Sequence, residues 1–241
     1  MELQNPDFYC NHMKIQMKLS CAVVFAAALF FGHAQAQNVS NLTDVNGSVL
    51  NLQKYSEMVG TPYLYEDWTI GEVTFSNGQK RSNIEMKYDL VEDKPMFKGK
   101  DDQPFYFIDP VAAFSLTGKN GAESKTFKNN FPPFKNLTSG TFYEVLEEGK
   151  IKLLKKILKI ISETKDYNSA TGVKTVNEQT IYFLVTGDKM NPLQKKDLKT
   201  FISNVDAAKS DAISAFAGQN KLNLKNENDL KKLVAYYNSL N

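Results

Sequence analysis

The sequence predicts an α+β fold: a curved antiparallel sheet, a meander of short strands, with about three C-terminal helices packed on it. Three observations carry this expectation. From Trp68 to about Thr186, short segments with apolar residues at every second position are separated by turn residues, the pattern of half-buried strands. The connections between them are too short for helical crossovers, so neighbouring strands run antiparallel. After Asn191 the apolar spacing changes to i, i+3, i+4, i+7, and amphipathic helices with that spacing need a surface on which to bury their stripes.

The first 36 residues read as a secretory leader. Lys14 and Lys18 supply a positive n-region, Ala22 to Phe31 is an unbroken apolar run, and Ala34-Gln35-Ala36 is an A-x-A cleavage signal. The run is shorter than the roughly 20 apolar residues that span a bilayer. Glu2 and Asp7 dilute the charge expected of an n-region, so translation is expected to start at Met13 or Met17, with residues 1–12 a mis-assigned start. Cys21 precedes the apolar run, and Lys18 stands where a lipobox carries leucine, so no lipid-anchored cysteine is expected. Residues 37–48, rich in Asn, Ser, Thr and Asp, read as a flexible lead-in segment. Residues 49–190 form the antiparallel β-rich region and 191–241 the helical region of the same domain.

Within the β region, Thr69–Phe75 and Ile84–Leu90 flank Ser76-Asn77-Gly78, and Asn-Gly between alternating segments is a strong hairpin signal. Further strands are expected at Met96–Lys98, Phe105–Ile108, Ala113–Thr117 and Lys125–Phe127, with a turn at Lys119-Asn120-Gly121. Phe131-Pro132-Pro133-Phe134 interrupts the pattern, because consecutive prolines cannot join a ladder. Val176–Val185 is a strand ended by Gly187-Asp188.

Ile151–Ile161 admits two readings. As a helix it carries Lys152, Lys155, Lys156 and Lys159 on one face, a basic amphipathic element suited to an anionic membrane. As a strand it follows Phe142–Leu146 across Glu147-Glu148-Gly149, with the lysines spread over a sheet face and edge, where they discourage strand-to-strand aggregation. The strand is the preferred reading, because the short loop and the β surroundings favour an antiparallel neighbour.

In the helical region, Asn191-Pro192 reads as a cap followed by a first-turn proline, leading into Leu198, Phe201, Ile202 and Val205. A second helix is expected from Asp206 to Ala217, stopped by Gly218. A third starts near Asn226, with Leu230, Leu233, Val234 and Tyr237 as its apolar stripe.

Gly60-Thr61-Pro62-Tyr63-Leu64, Tyr143-Glu144-Val145-Leu146 with Gly149-Lys150, Tyr167-Asn168-Ser169-Ala170 and Leu233-Val234-Ala235-Tyr236-Tyr237-Asn238 resemble a family of secreted Bacteroidetes proteins with no established function. The resemblance covers most of the chain after the leader. It implies export from a Gram-negative cell and transfers no catalytic residue.

Composition restricts the chemistry. Cys10, His12, Cys21 and His33 are the whole inventory of thiol and imidazole, and all lie in the leader. The expected mature chain therefore has no Ser-His-Asp triad, cysteine nucleophile or imidazole base. Zinc, haem and iron–sulfur sites lose their usual ligands, and no disulfide framework is available. No cofactor and no metal is expected. The net charge is +2, from 29 basic and 27 acidic residues. The leader holds two of each sign, so the mature balance is the same, and such balance argues against nucleic acid as a partner.

Two enzyme readings remain. Ser162-Glu163-Thr164-Lys165 matches the S-x-x-K of penicillin-recognising enzymes but lacks the partner motifs S-D-N and K-T-G. A glycosidase needs only two suitably spaced carboxylates, yet the adjacent pairs Asp101-Asp102 and Glu147-Glu148 read as solvated turns. Tyr63, Tyr65 and Trp68 are candidate ligand-binding residues, since exposed aromatics stack on sugars; the preferred reading is that they plug one end of the sheet's core. No catalytic residue is assigned. The expectation is an exported, non-catalytic binding or structural module of the periplasm or outer envelope, with an envelope component, glycan or lipid as its partner and no transmembrane segment. A carboxylate-dependent glycan hydrolase and a membrane-associated lipid-handling protein are the alternatives.

Overall fold

The computed structural model of this chain describes residues 47–49, 55–118, 122–165 and 172–240. The segment expected to be a leader, most of the expected lead-in segment, the turn expected at 119–121 and the Tyr167–Ala170 motif lie outside the described residues. Among the described residues the fold is α+β, a large open sheet of twelve strands with three short helices. The strands are β1 (Gly47–Val49), β2 (Met58–Val59), β3 (Thr69–Phe75), β4 (Lys80–Asp89), β5 (Lys94–Lys98) and β6 (Pro104–Phe107). After these come β7 (Val111–Leu116), β8 (Lys125–Lys128), β9 (Tyr143–Glu147), β10 (Ile151–Thr164), β11 (Val173–Thr186) and β12 (Lys189–Pro192).

In space they follow the order β1-β6-β5-β4-β3-β7-β8-β9-β10-β11-β12, with β2 attached to β11. Every pairing is antiparallel except the last, in which Met58 lies opposite Lys174 and Val59 opposite Thr175. The β3–β4 hairpin closes where the sequence places it. Gly78 adopts φ +85°, its N–H donates to the Phe75 carbonyl and the Asn77 side chain accepts from Gln79 N–H. Gly71, inside β3, allows close packing, since a Cβ there would lie 2.5 Å from the Ser115 carbonyl oxygen of β7.

Ile151–Thr164 is a strand, paired along its whole length with β11 and at its start with β9. Its second neighbour, β9, covers only Leu153–Lys155, so beyond Lys155 that side has no described partner strand. The β10 lysines correct the expectation of a protective role at an edge: Lys155, Lys156 and Lys159 turn inward to carboxylates and carbonyls. Leu153 and Leu154, adjacent on β10 and so on opposite faces, are both fully buried. Leu153 faces the helices, and Leu154 faces Leu137 and the Phe131–Phe134 segment.

The helices are α1 (Leu198–Ile202), α2 (Ser210–Gln219) and α3 (Glu227–Ser239). The helix start expected at Asn191-Pro192 is displaced to Leu198. Gly187 takes φ +56° in a tight turn, which folds Lys189–Pro192 back on β11 as β12. Met190 then enters the core, and proline is tolerated at the end of an outer strand because no ladder donor is required there. Asp197 is the actual cap, accepting from Thr200 N–H. Asp206 caps a single 3-10 turn that precedes α2, and Asn226 caps α3 through the N–H groups of Asn228 and Asp229. All four residues of the predicted α3 stripe are buried, against Ile151, Leu153 and Leu184 among others. A second, aromatic core lies on β3–β8, where Tyr88, Phe114 and Phe127 pack with ring centroids 4.9 to 5.0 Å apart.

Candidate functional site

A cavity of about 900 Å³ straddles the outer edge of β11. Its position follows from where strands stop. β12 covers β11 only from Phe183 to Thr186, and β2 only at Lys174 and Thr175. Between them Asn177–Thr180 are exposed. One wall carries Tyr182, Lys196 and Lys225 beside the helices; the other carries Phe134 and Lys135. Lys196 Nζ lies 4.6 Å from the Tyr182 ring centre and donates to the Lys225 carbonyl. Among the described residues Lys135, Lys196 and Lys225 form no salt bridge. The one carboxylate of the lining, Glu178, is 3.6 Å from Lys159.

A row of charges borders the floor of this slot. Glu144, Lys155 and Tyr182 stand opposite one another on β9, β10 and β11, and the first residue of α3, Glu227, caps the row. Lys155 Nζ lies 2.8 Å from Glu227 Oε2 and 3.5 Å from Glu144 Oε2. Tyr182 donates to Glu227 Oε2 at 2.7 Å, and Lys125 donates to Glu144 Oε1 at 2.6 Å. Glu144 Oε2 is buried without a hydrogen bond, so Lys155 is its electrostatic neighbour and not a donor to it.

Burial opposes the charge on Glu227, but the hydrogen bonds from Lys155 and Tyr182 outweigh it and hold this carboxyl below its ordinary range. Burial likewise opposes the charge on Lys155, and Glu227 with Glu144 more than offsets it, raising the ammonium. The Tyr182 hydroxyl is pushed up by burial and by Glu227. Glu227 thus has no proton to donate at neutral pH, and Lys155 has no free amine. The two carboxylates and Lys155 form an ion-paired clamp between sheet and helix, and the lowered carboxyl of Glu227 is unlike the raised acid that a glycosidase needs.

Two further buried polar groups belong to the aromatic end of the sheet. Asp89 is wholly buried and accepts from the Tyr55 and Tyr106 hydroxyls and from Val91 and Glu92 N–H. Lys156 is buried against Asp93 at 2.6 Å and the Phe142 carbonyl at 3.0 Å. Burial pushes its ammonium below the usual lysine range, against the pull of Asp93.

The aromatic candidates lie away from the slot lining. Tyr65 packs against the aromatic core, while Lys87 Nζ sits 4.8 Å from the Tyr63 ring centre and 5.1 Å from that of Trp68. Ser162 is exposed on the outer part of β10, its hydroxyl accepting from Asn177. Asp102 pairs with Lys98 and Glu148 with Lys128 on the surface. Sequence reasoning missed the slot. Its only trace was the excess of lysine in the C-terminal region, which carries no information about which strand edge stays open. Among the described residues no group of three or more His, Cys, Asp or Glu is placed to hold a metal ion, and no helix is long and apolar enough to cross a membrane. No protein-family profile, curated protein or solved structure matches this chain.

Proposed function

We propose that this chain is an exported, non-catalytic binding module of a Gram-negative cell envelope, and that it engages an anionic partner in the slot beside β11. The supporting observation is the slot itself: about 900 Å³, three lysines that form no salt bridge among the described residues, and apolar and aromatic side chains beneath them. Binding sites commonly combine an apolar lining with a few convergent polar groups, and here the charged groups are four lysines against one carboxylate, Glu178, which lies beside Lys159. The leader and the likeness to secreted Bacteroidetes proteins support export. A lipid-handling role would call for an apolar interior, whereas this cavity is rimmed by charge. A hydrolase would call for a protonated carboxyl, whereas Glu227 is held ionised.

The test is retention on immobilised polyglutamate and polygalacturonate at low salt, comparing the protein with a Lys135→Glu, Lys196→Glu, Lys225→Glu variant. Retention of the first and loss in the second is the expected result. Equal behaviour of the two, or release of reducing sugar that disappears in Glu144→Gln, overturns the reading. Export is tested by intact mass from the native host, where the chain is expected to begin at Gln37.

A further inference from the structure

From the open edge of β11 we infer that the partner is a protein whose acidic, extended segment adds to the sheet as a strand between β2 and β12. This rests on the slot being a binding site and names what fills it. The backbone sets the geometry. Leu193 N–H donates to the Tyr182 carbonyl at 2.8 Å, so Tyr182 directs its backbone groups to the outer edge. Along a strand, alternate residues direct their N–H and C=O groups the same way. The backbone groups of Thr180 and Glu178 therefore face the slot, and those of Ile181 and Gln179 face β10. Both are paired with β10 on the inner side, and on the outer edge no described strand pairs with Thr180 or Glu178. From Thr175, the last residue covered by β2, to Tyr182 the edge runs about 23 Å at roughly 3.3 Å per residue, which accommodates a strand of about six residues.

The walls choose the occupant. An added strand would direct alternate side chains to Tyr182, Lys196 and Lys225 on one face and to Phe134 and Lys135 on the other. The unmatched lysines favour acidic side chains at several of those positions, and such complementarity selects partner and register. A second copy of this chain is disfavoured, because edge-to-edge pairing at β11 would bring two lysine rims together. In strand addition the main-chain hydrogen bonds supply affinity and the alternating side chains supply specificity. Exposed edges are normally covered or blunted against unwanted pairing; here the edge is open yet walled on both faces, which admits one strand and excludes a sheet.

The experiment uses a fluorescent heptapeptide alternating Glu and Val, read by anisotropy with the purified protein. Its controls are a Lys-for-Glu counterpart and a version N-methylated at every interior residue, which cannot donate from either edge. In Thr180→Pro the lost N–H is one that faces the slot, so no bond to β10 is removed; urea unfolding verifies that this variant is folded. Binding of the acidic peptide is expected to be at least tenfold tighter than that of either control, and to weaken at least tenfold in Thr180→Pro. The amides of Glu178 and Thr180 are expected to exchange quickly in the free protein and at least tenfold more slowly with peptide. Equal binding of the N-methylated peptide, or slow exchange in the free protein, overturns strand addition. Retention on polygalacturonate without peptide binding overturns strand addition alone, and retention on neither polymer overturns the binding site as well.

Discussion

Replacing Lys155 with methionine keeps the aliphatic length of the side chain and removes the ammonium on which two carboxylates converge. Lys155 is 15% exposed, Glu144 6% and Glu227 31%. Removing one partner of a buried ion pair costs about 3–5 kcal/mol, and the partial exposure of Glu227 places the expectation near the lower end, about 3 kcal/mol. With a urea slope of about 2 kcal/mol per molar, the midpoint falls by roughly 1.5 M. The pH dependence distinguishes this mechanism from simple loss of packing. In the native protein the depressed carboxyl of Glu227 contributes fully above the ordinary carboxylate range and is lost only as pH falls through its depressed value. The raised ammonium of Lys155 contributes below the ordinary lysine range and is lost only as pH rises through its raised value. Between those limits the pair is constant. In Lys155→Met, burial acts on Glu227 with its cation gone, so its carboxyl rises and the folded state takes up a proton first. The deficit should then shrink by about 1 kcal/mol between pH 7.5 and pH 5. Adding Glu227→Gln should recover more than 1 kcal/mol of the loss at pH 7.5. A deficit below 1 kcal/mol, or one identical at both pH values, would refute the clamp.

Asp89 should separate two kinds of donor. Asn can keep its carbonyl on the Val91 and Glu92 amides while its NH2 donates to the Tyr55 and Tyr106 oxygens, so Asp89→Asn should cost about 1–2 kcal/mol. Asp89→Ala, which strands all four donors, should cost about 4 kcal/mol; equal losses in urea unfolding would count against this account. Gly71→Ala forces a methyl group against the Ser115 carbonyl 2.5 Å away and should destabilise by about 2–3 kcal/mol, read as a drop of several degrees in Tm. Because the chain after Ala36 contains no histidine, its stability should vary by less than about 1 kcal/mol between pH 6 and pH 8. A larger change in urea unfolding would reveal a strongly shifted carboxyl or lysine.

Local patterns determined much of this protein without help from tertiary structure. Alternation of Ile84, Met86 and Tyr88 with charged residues, and Asn77-Gly78 before it, encode the β3–β4 hairpin, because side-chain period and turn dihedrals depend only on neighbouring residues. Leu230, Leu233, Val234 and Tyr237 behind an Asn226 cap encode α3 for the same reason. Glu147-Glu148-Gly149 was enough to turn Ile151–Ile161 toward a strand despite its helix-compatible spacing. The remainder was decided by contacts between distant segments. Nothing near Lys155, Lys156 or Lys159 in the sequence announces that Glu227, Asp93 and the Tyr63 carbonyl await them. Likewise, Lys189–Pro192 became a strand because β11 offered it an edge, and that overrode a good local helix signal. The slot is the clearest case. It exists because β2 and β12 each cover only part of β11, and the length over which two strands pair is a property of the folded sheet and of neither strand alone.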